Sequence, residues 1–244
     1  MNLSGNRILV TGGSSGIGMA LAERLLKLGN KVVICGRRED ALRVVKNRLK
    51  DIHVMVSDTG SETSRVELFE KATREHPDLN ILINNAGIQR QVSLNSLEPW
   101  KDIQQEIAVN LEGPIHLSML FIPHLLKQRS SWIMNVSSGL AFMPLTTVPV
   151  YCATKAGLHS FTQSLRHQLR KTNIGVVEII PPAVRTNLGG SHDFGAPLGE
   201  YADSVIEQLK DGRIETTFQM SAKSSQASRA ELDQIFSGMN SAHY

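Results

Sequence analysis

Cysteine is scarce in this chain. Cys35 and Cys152 are the only two, too few for a disulfide framework and without the spacing of metal ligands. Neither a stapled secreted fold nor a metal centre is expected, and a reducing, cytoplasmic setting is the default. Charge of one sign is also in short supply. Lys and Arg number 26 against 23 Asp and Glu, a formal net charge of +3. That balance, spread evenly, argues against nucleic-acid or membrane partners. Long apolar runs are missing. MNLSGNR (1–7) has no secretory core, and His, Pro, Ser or Lys interrupts every helical apolar stretch short of a membrane span. No linker, low-complexity tract or solenoid repeat divides the chain. What remains is 244 residues, 41% apolar, enough to bury a sizeable core as one domain over 1–244.

What is present is alternation. Short β-branched runs are expected as strands at Arg7–Val10, Lys31–Cys35, Ile52–Val56, Leu79–Ile83, Trp132–Val136, Ile174–Ile180 and near Ile214–Phe218. Amphipathic stretches between them predict helices over 19–29, 39–49, about 61–76, 100–127 with a bend near Gly113 and Pro114, 150–170, 201–210 and 228–239. Repeated strand–helix units imply crossovers and a parallel sheet covered on both faces, hence a doubly wound α/β Rossmann fold. Residues 187–200 (NLGGSHDFGAPLGE) break the order and suit a lid or substrate-side loop beyond a strand end.

TGGSSGIG (11–18) lies between the first strand and first helix. Its glycines allow a tight turn and close backbone approach to a pyrophosphate, and the helix behind offers free N–H groups. The run lacks the G-K-[ST] of a nucleotide-triphosphate loop. After the second strand come Gly36, Arg37 and Arg38 rather than a carboxylate. An arginine fork suits a 2′-phosphate, which favours NADP(H), with NAD(H) still possible. Asp58 is placed to accept from an adenine amino group with Thr59 behind it, or simply to close a turn. Tyr151 stands four residues before Lys155, one helical turn away and on the same face. That is either a surface pair or a phenol tuned by an ammonium.

TGGSSGIG (11–18), NNAG (84–87), Asn110, NVSSG (135–139), YCATK (151–155) and IIPPAVRT (179–186) occur in this order across most of the chain. Together they resemble the short-chain dehydrogenase/reductase family. The resemblance implies catalytic roles for Asn110, Ser138, Tyr151 and Lys155, with Asn110 at a helix kink that helps hold a water near the lysine on a proton route to solvent. Ser137 and Ser138 both qualify by eye, and the family's usual gap to the tyrosine selects Ser138. It also implies cofactor contacts from Gly12, Ser14, Ser15, Gly16, Ile17 and Gly18, from Asn84, Asn85, Ala86 and Gly87, and from Pro181, Val184 and Thr186. Arg37, Arg38, Asp58 and Thr59 join them at the adenosine end, Tyr151 and Lys155 at the nicotinamide end. The family's Pro-Gly is here Pro181-Pro182, which removes an N–H and stiffens the mouth of the substrate site.

The expected chemistry is hydride transfer between nicotinamide and a ketone, aldehyde or alcohol. Lys155 is expected to lower the pKa of Tyr151, the acid/base, while Ser138 steadies the developing oxyanion. Two other readings stay open: a silent nicotinamide-binding scaffold, and an epimerase or dehydratase. Leu140, Phe142, Met143, Pro144 and Leu145, with the 187–200 segment, are expected to form an apolar substrate pocket. Ile103, Ile107, Leu111 and Ile115 make a helical stripe that faces either the sheet or a sister subunit, and the resemblance implies a homodimer or homotetramer. Residues 237–244 reach a neighbour or fray. His159 and His167 read as packing or surface residues, and Cys152 as a small buried one.

Overall fold

The computed structural model describes residues 1–190 and 194–241. Seven strands form one parallel sheet: β1 (Arg7–Thr11), β2 (Lys31–Gly36), β3 (His53–Val56), β4 (Ile81–Asn84), β5 (Ser131–Val136), β6 (Ile174–Ile180) and β7 (Glu215–Thr217). Their order is β3-β2-β1-β4-β5-β6-β7. Strand order reverses between β1 and β4, so the loops leaving those two strands diverge and open a crevice at the sheet's carboxyl edge.

Period-two alternation explains how each strand serves two cores. Ile8, Val10, Val32 and Ile34 face one layer, built from α1 (Gly16–Lys27), α2 (Glu39–Arg48) and α7 (Leu198–Lys210). Leu9, Val33 and Cys35 face the other, built from α3 (Glu62–Glu75), α5 (Gly113–Leu125) and α6 (Pro149–Leu169). Tyr201 and Phe121 are fully buried anchors of the two layers. Burial of such side chains contributes roughly 1.5–3 kcal/mol each.

Most expected elements are present with ends moved by a few residues. The helix after the glycine turn starts at Gly16 rather than Met19, and α7 at Leu198 rather than Tyr201. Ser61 caps α3 by accepting from the Ser64 amide. Ser228 and Glu231 form the capping box of α9 (Arg229–Asn240). The bend expected near Gly113 has a different origin. Between α4 (Trp100–Ile107) and α5, residues 108–112 widen into one turn of π-helix centred on Asn110. A short helix, α8 (Met220–Gln226), was not expected at all. The apolar stripe does not pack on the sheet: Ile103, Ile107, Leu111 and Ile115 are half-buried, while Val109, Leu117 and Phe121 turn inward. No helix among the described residues is long and apolar enough to cross a membrane. Residues 191–193 of the expected lid and 242–244 of the tail lie outside the described residues.

Candidate active site

A cavity of about 1170 Å³ occupies the crevice. Its floor is stitched from the loops after β1 and β4. The Asn85 and Ala86 amides both donate to Thr11 Oγ1, at 2.9 and 3.0 Å, and Asn85 Nδ2 donates to the Thr11 carbonyl at 2.9 Å. Gly12 sits at φ +64°, and a Cβ there would come within 2.8 Å of the Ala86 Cα. A Cβ on Gly18 would collide with the Asn85 side chain that holds the two loops together. Both glycines are therefore demanded by close backbone approach. Ser15 begins α1 without capping it, and no acidic residue stands in the first turn. The free N–H groups and helix dipole favour an anion there.

Gly12, Ser14, Ser15, Gly16 and Ile17 line this end of the cavity, followed by Arg37 and Arg38. Both arginines are exposed, and among the described residues neither guanidinium has an ion-pair or hydrogen-bond partner. Thr59, Asn85, Ala86 and Gly87 are also on the wall. Gly18, Asp58, Asn84 and Asn110 are not. The Asp58 carboxylate closes its own turn, accepting the Gly60 amide at 2.9 Å. Asn84 is buried behind the wall, donating to Asn135 Oδ1 at 2.9 Å and Ser118 Oγ at 3.2 Å.

Midway along the cavity Ser138, Tyr151 and Lys155 meet. Pro149 opens α6, where its missing N–H costs nothing, and puts Tyr151 in the first turn. Ser138 is near enough to the Tyr151 hydroxyl to act on its ionisation, and Ser138 Oγ accepts the Leu140 amide at 3.1 Å. Ser137, its neighbour, turns to Glu178 instead, at 2.5 Å. Strand alternation thus separates two serines that look alike in sequence. Lys155 Nζ lies 5.6 Å from the Tyr151 ring centroid and donates to the Val136 carbonyl at 2.8 Å. Asn110 stands behind the trio. Its Oδ1 accepts the Ile88 amide at 2.9 Å, and its Nδ2 donates to the Ile88 carbonyl at 2.8 Å and to Thr154 Oγ1 at 3.3 Å. These bonds hold the π turn against the β4 loop and α6.

The electrostatics differ from the expectation at one point. Burial pushes the Tyr151 phenol up, and the Ser138 hydroxyl only partly offsets it; the phenol stays raised with the Lys155 ammonium close by. Desolving a phenolate is the larger effect. Burial likewise pulls the Lys155 ammonium down to about 8, opposed by the Glu106 and Glu178 carboxylates. Burial raises the Cys152 thiol, and the Leu145 amide occupies its sulfur at 3.3 Å, so this residue packs and does not react.

The far end of the cavity is a collection of side chains. Leu140, Met143 and Leu145 line it as expected. Phe142 does not; it stacks edge-on against His159 at 4.7 Å, and that histidine in turn bonds Glu178 at 2.9 Å. Pro144 is exposed. Pro181, Pro182, Val184 and Thr186 form the roof. Just beyond it, Val184 bridges to Ala196 and the Ala196 amide donates to the Ala183 carbonyl at 2.8 Å. Sequence reasoning missed Gln89, Gln91, Met220 and Met239, all on the wall. Met239 is set there by the next residue: Asn240 Oδ1 accepts the Thr146 amide and hydroxyl, both at 2.8 Å, and Nδ2 donates to the Pro144 carbonyl at 3.2 Å. Among the described residues no group of three or more His, Cys, Asp or Glu is placed to hold a metal.

A parallel sheet with a glycine turn at its reversal point, and a serine, tyrosine and lysine gathered beside it, define a class. The chain belongs to the short chain dehydrogenase family, whose model matches residues 6–193. It is 45% identical to the uncharacterized oxidoreductase DltE of Bacillus subtilis strain 168, in a match that covers 98% of each chain. Among solved structures, a short chain dehydrogenase from Burkholderia cenocepacia J2315 in complex with NADP superposes with a TM-score of 0.84 at 26% identity, covering 97% of this chain and 99% of that one. A short chain dehydrogenase/reductase from Burkholderia phymatum in complex with NAD shares the fold, with a TM-score of 0.86 at 21% identity and 96% of each chain covered.

Proposed function

We propose that this oxidoreductase is an NADP(H)-dependent enzyme that interconverts a ketone or aldehyde with its alcohol, using Tyr151 as acid and base. The observation that carries the reading is the meeting of Ser138, Tyr151 and Lys155 on the wall of one cavity. A dinucleotide fits the other half. The side-chain-free approach of Gly12 to Ala86 and the uncapped start of α1 make a pyrophosphate cradle. Gly12, Ser14, Ser15, Gly16 and Ile17 would hold that group, with Gly18 keeping Asn85 in register. Arg37 and Arg38 would take the 2′-phosphate; two unpartnered guanidiniums at that position favour NADP(H) over NAD(H). Thr59, Asn85, Ala86 and Gly87 would contact the adenosine and ribose portions, with Asp58 and Asn84 shaping the turns beneath them. Pro181, Val184 and Thr186 would cover the nicotinamide. When bound, the cofactor supplies or accepts the hydride.

The chain's own residues handle the proton. A phenol held up by burial stays protonated through the neutral range, ready to give its proton to a nascent alkoxide. The phenolate left behind needs a cation, which Lys155 supplies below about pH 8. Ser138 donates where negative charge develops. Asn110 fixes the loop and helix on which the trio depends. The half-exposed stripe of Ile103, Ile107, Leu111 and Ile115 is where a second copy would seat, and sedimentation tests that.

Titration of the purified protein with NADPH and NADH, read by nicotinamide fluorescence, tests the cofactor half. A carbonyl screen run with NADPH tests the chemistry. Tighter NADPH and carbonyl-dependent oxidation are expected. Binding without turnover of any carbonyl would favour a silent scaffold. Product formation without net cofactor consumption would favour an epimerase or dehydratase.

A further inference from the structure

Glu106 has no task in the reading above. It sits on α4 one helical turn before Asn110, with no solvent exposure. Among the described residues neither carboxyl oxygen has a hydrogen-bond partner. An unpaired buried carboxyl is costly, and an apolar side chain of similar volume avoids that cost. Its neighbours suggest what the charge is for. The loop after β4 presents Arg90, whose amide lies near the carboxyl and whose guanidinium is engaged by Gln105 at 2.6 Å and by Asp102. From α6, which packs against α4, Tyr151, Cys152 and Lys155 lie within its electrostatic reach.

Lys155 is nearly as deeply placed, 3% exposed, and among the described residues its side chain makes a single hydrogen bond, to the Val136 carbonyl. Two carboxylates act on it. Glu178 is already bonded by Ser137 and His159, whereas among the described residues the Glu106 carboxyl has no side-chain partner, only the Arg90 amide nearby. Building on the Ser138–Tyr151–Lys155 assignment, we propose that Glu106 is a positioning residue that acts through Lys155, keeping the ammonium charged from behind the cavity wall. Consistent with this, Glu106 is the stronger of the two groups that resist the downward pull of burial on the lysine. Arg90 and Lys155 in turn draw the carboxyl back down against the burial that raises it. An acid at this point lets a buried lysine stay cationic where catalysis needs it.

The test is Glu106→Gln, which keeps shape and removes charge. Side-chain NMR of lysine-labelled protein reads the Lys155 titration directly, its resonance assigned by its loss in Lys155→Met. The midpoint is expected to fall by about one pH unit, and Glu106→Asp should recover part of the shift. The alkaline limb of NADPH-linked carbonyl reduction should move down with it, which a purely structural role would not cause. An unchanged Lys155 midpoint in folded Glu106→Gln overturns the proposal. If that variant does not fold, the wild-type Glu106 carboxyl resonance must show a step at the Lys155 midpoint, and its absence overturns the proposal equally. The NMR readout needs no turnover. A protein with the shift but no carbonyl reduction refutes the proposed function and leaves the Glu106–Lys155 coupling standing.

Discussion

At the glycine-turn end of the cavity the wall is mainly backbone. Thr11, Gly12, Asn85 and Ala86 are locked by hydrogen bonds between two adjacent loops. At the Met143 end the wall is side chains, brought from the turn after β5, the roof after β6, α8 and α9. The first end has little freedom to vary, because a backbone that must approach a phosphate tolerates almost no added atom. The second is held by a few long-range anchors, with Asn240 the clearest. Methionines on its surface adapt to irregular shapes. On the proposed function, one end would recognise a fixed molecule and the other would accommodate a variable one.

Substitutions at each end should separate cleanly. The largest effect is expected between the two ends: Tyr151→Phe should lower carbonyl reduction by roughly 10²- to 10⁴-fold with NADPH affinity nearly unchanged, measured by steady-state rates beside fluorescence titration. Retained turnover would remove the tyrosine from the mechanism. At the backbone end, Arg37→Asp should shift preference toward NADH by about tenfold to a hundredfold, the worth of a charge-assisted bond. A preference that does not move would place phosphate recognition elsewhere. At the side-chain end, Asn240→Ala should raise the substrate KM several-fold, leave NADPH affinity alone and lower the melting temperature, since a buried bond network is worth about 1–3 kcal/mol. If cofactor binding weakens as much as KM, the two ends are not independent.

The smallest effect concerns His159. Its bond to Glu178 raises its pKa above the ordinary value. A raised histidine stabilises fully below about pH 6.5, and that stability fades as pH climbs through the raised value. The melting-temperature gap between wild type and His159→Asn should therefore be wider at pH 6 than at pH 9. A gap independent of pH would assign the histidine's contribution to its stacking on Phe142.

The same contrast explains what was legible in the sequence. Strands β1, β2, β5 and β6 announce themselves through continuous apolar runs, and the glycine turn through its place between strand and helix. Tyr151 and Lys155 are one turn apart, so local spacing put them on one face, but the pair alone left a surface contact and a tuned phenol both open. Periodicity did not show the π turn, which is held by Ile88, far away along the chain from Asn110; only the resemblance implied a kink there. Nor did it show α8, whose sequence MSAKSSQ has no apolar period and which is anchored by Ser221 Oγ on the Ile180 carbonyl at 2.6 Å. Position alone left Asp58 between adenine contact and turn former, and the structure gives its carboxylate to the Gly60 amide. Glu106 looked like one polar residue on a long helix until its complete burial, on the helix packed against α6, was visible.

The docking of α9 also carries a consequence in time. During synthesis the chain emerges from its amino end, and folding units assemble roughly in that order. The strands and turns of the cofactor end are all made before α6 appears, whereas Met239 and Asn240 follow much later. A single sheet-bound domain folds as a unit, so the substrate pocket would close only once α9 has been made and Asn240 has found the 144–146 turn.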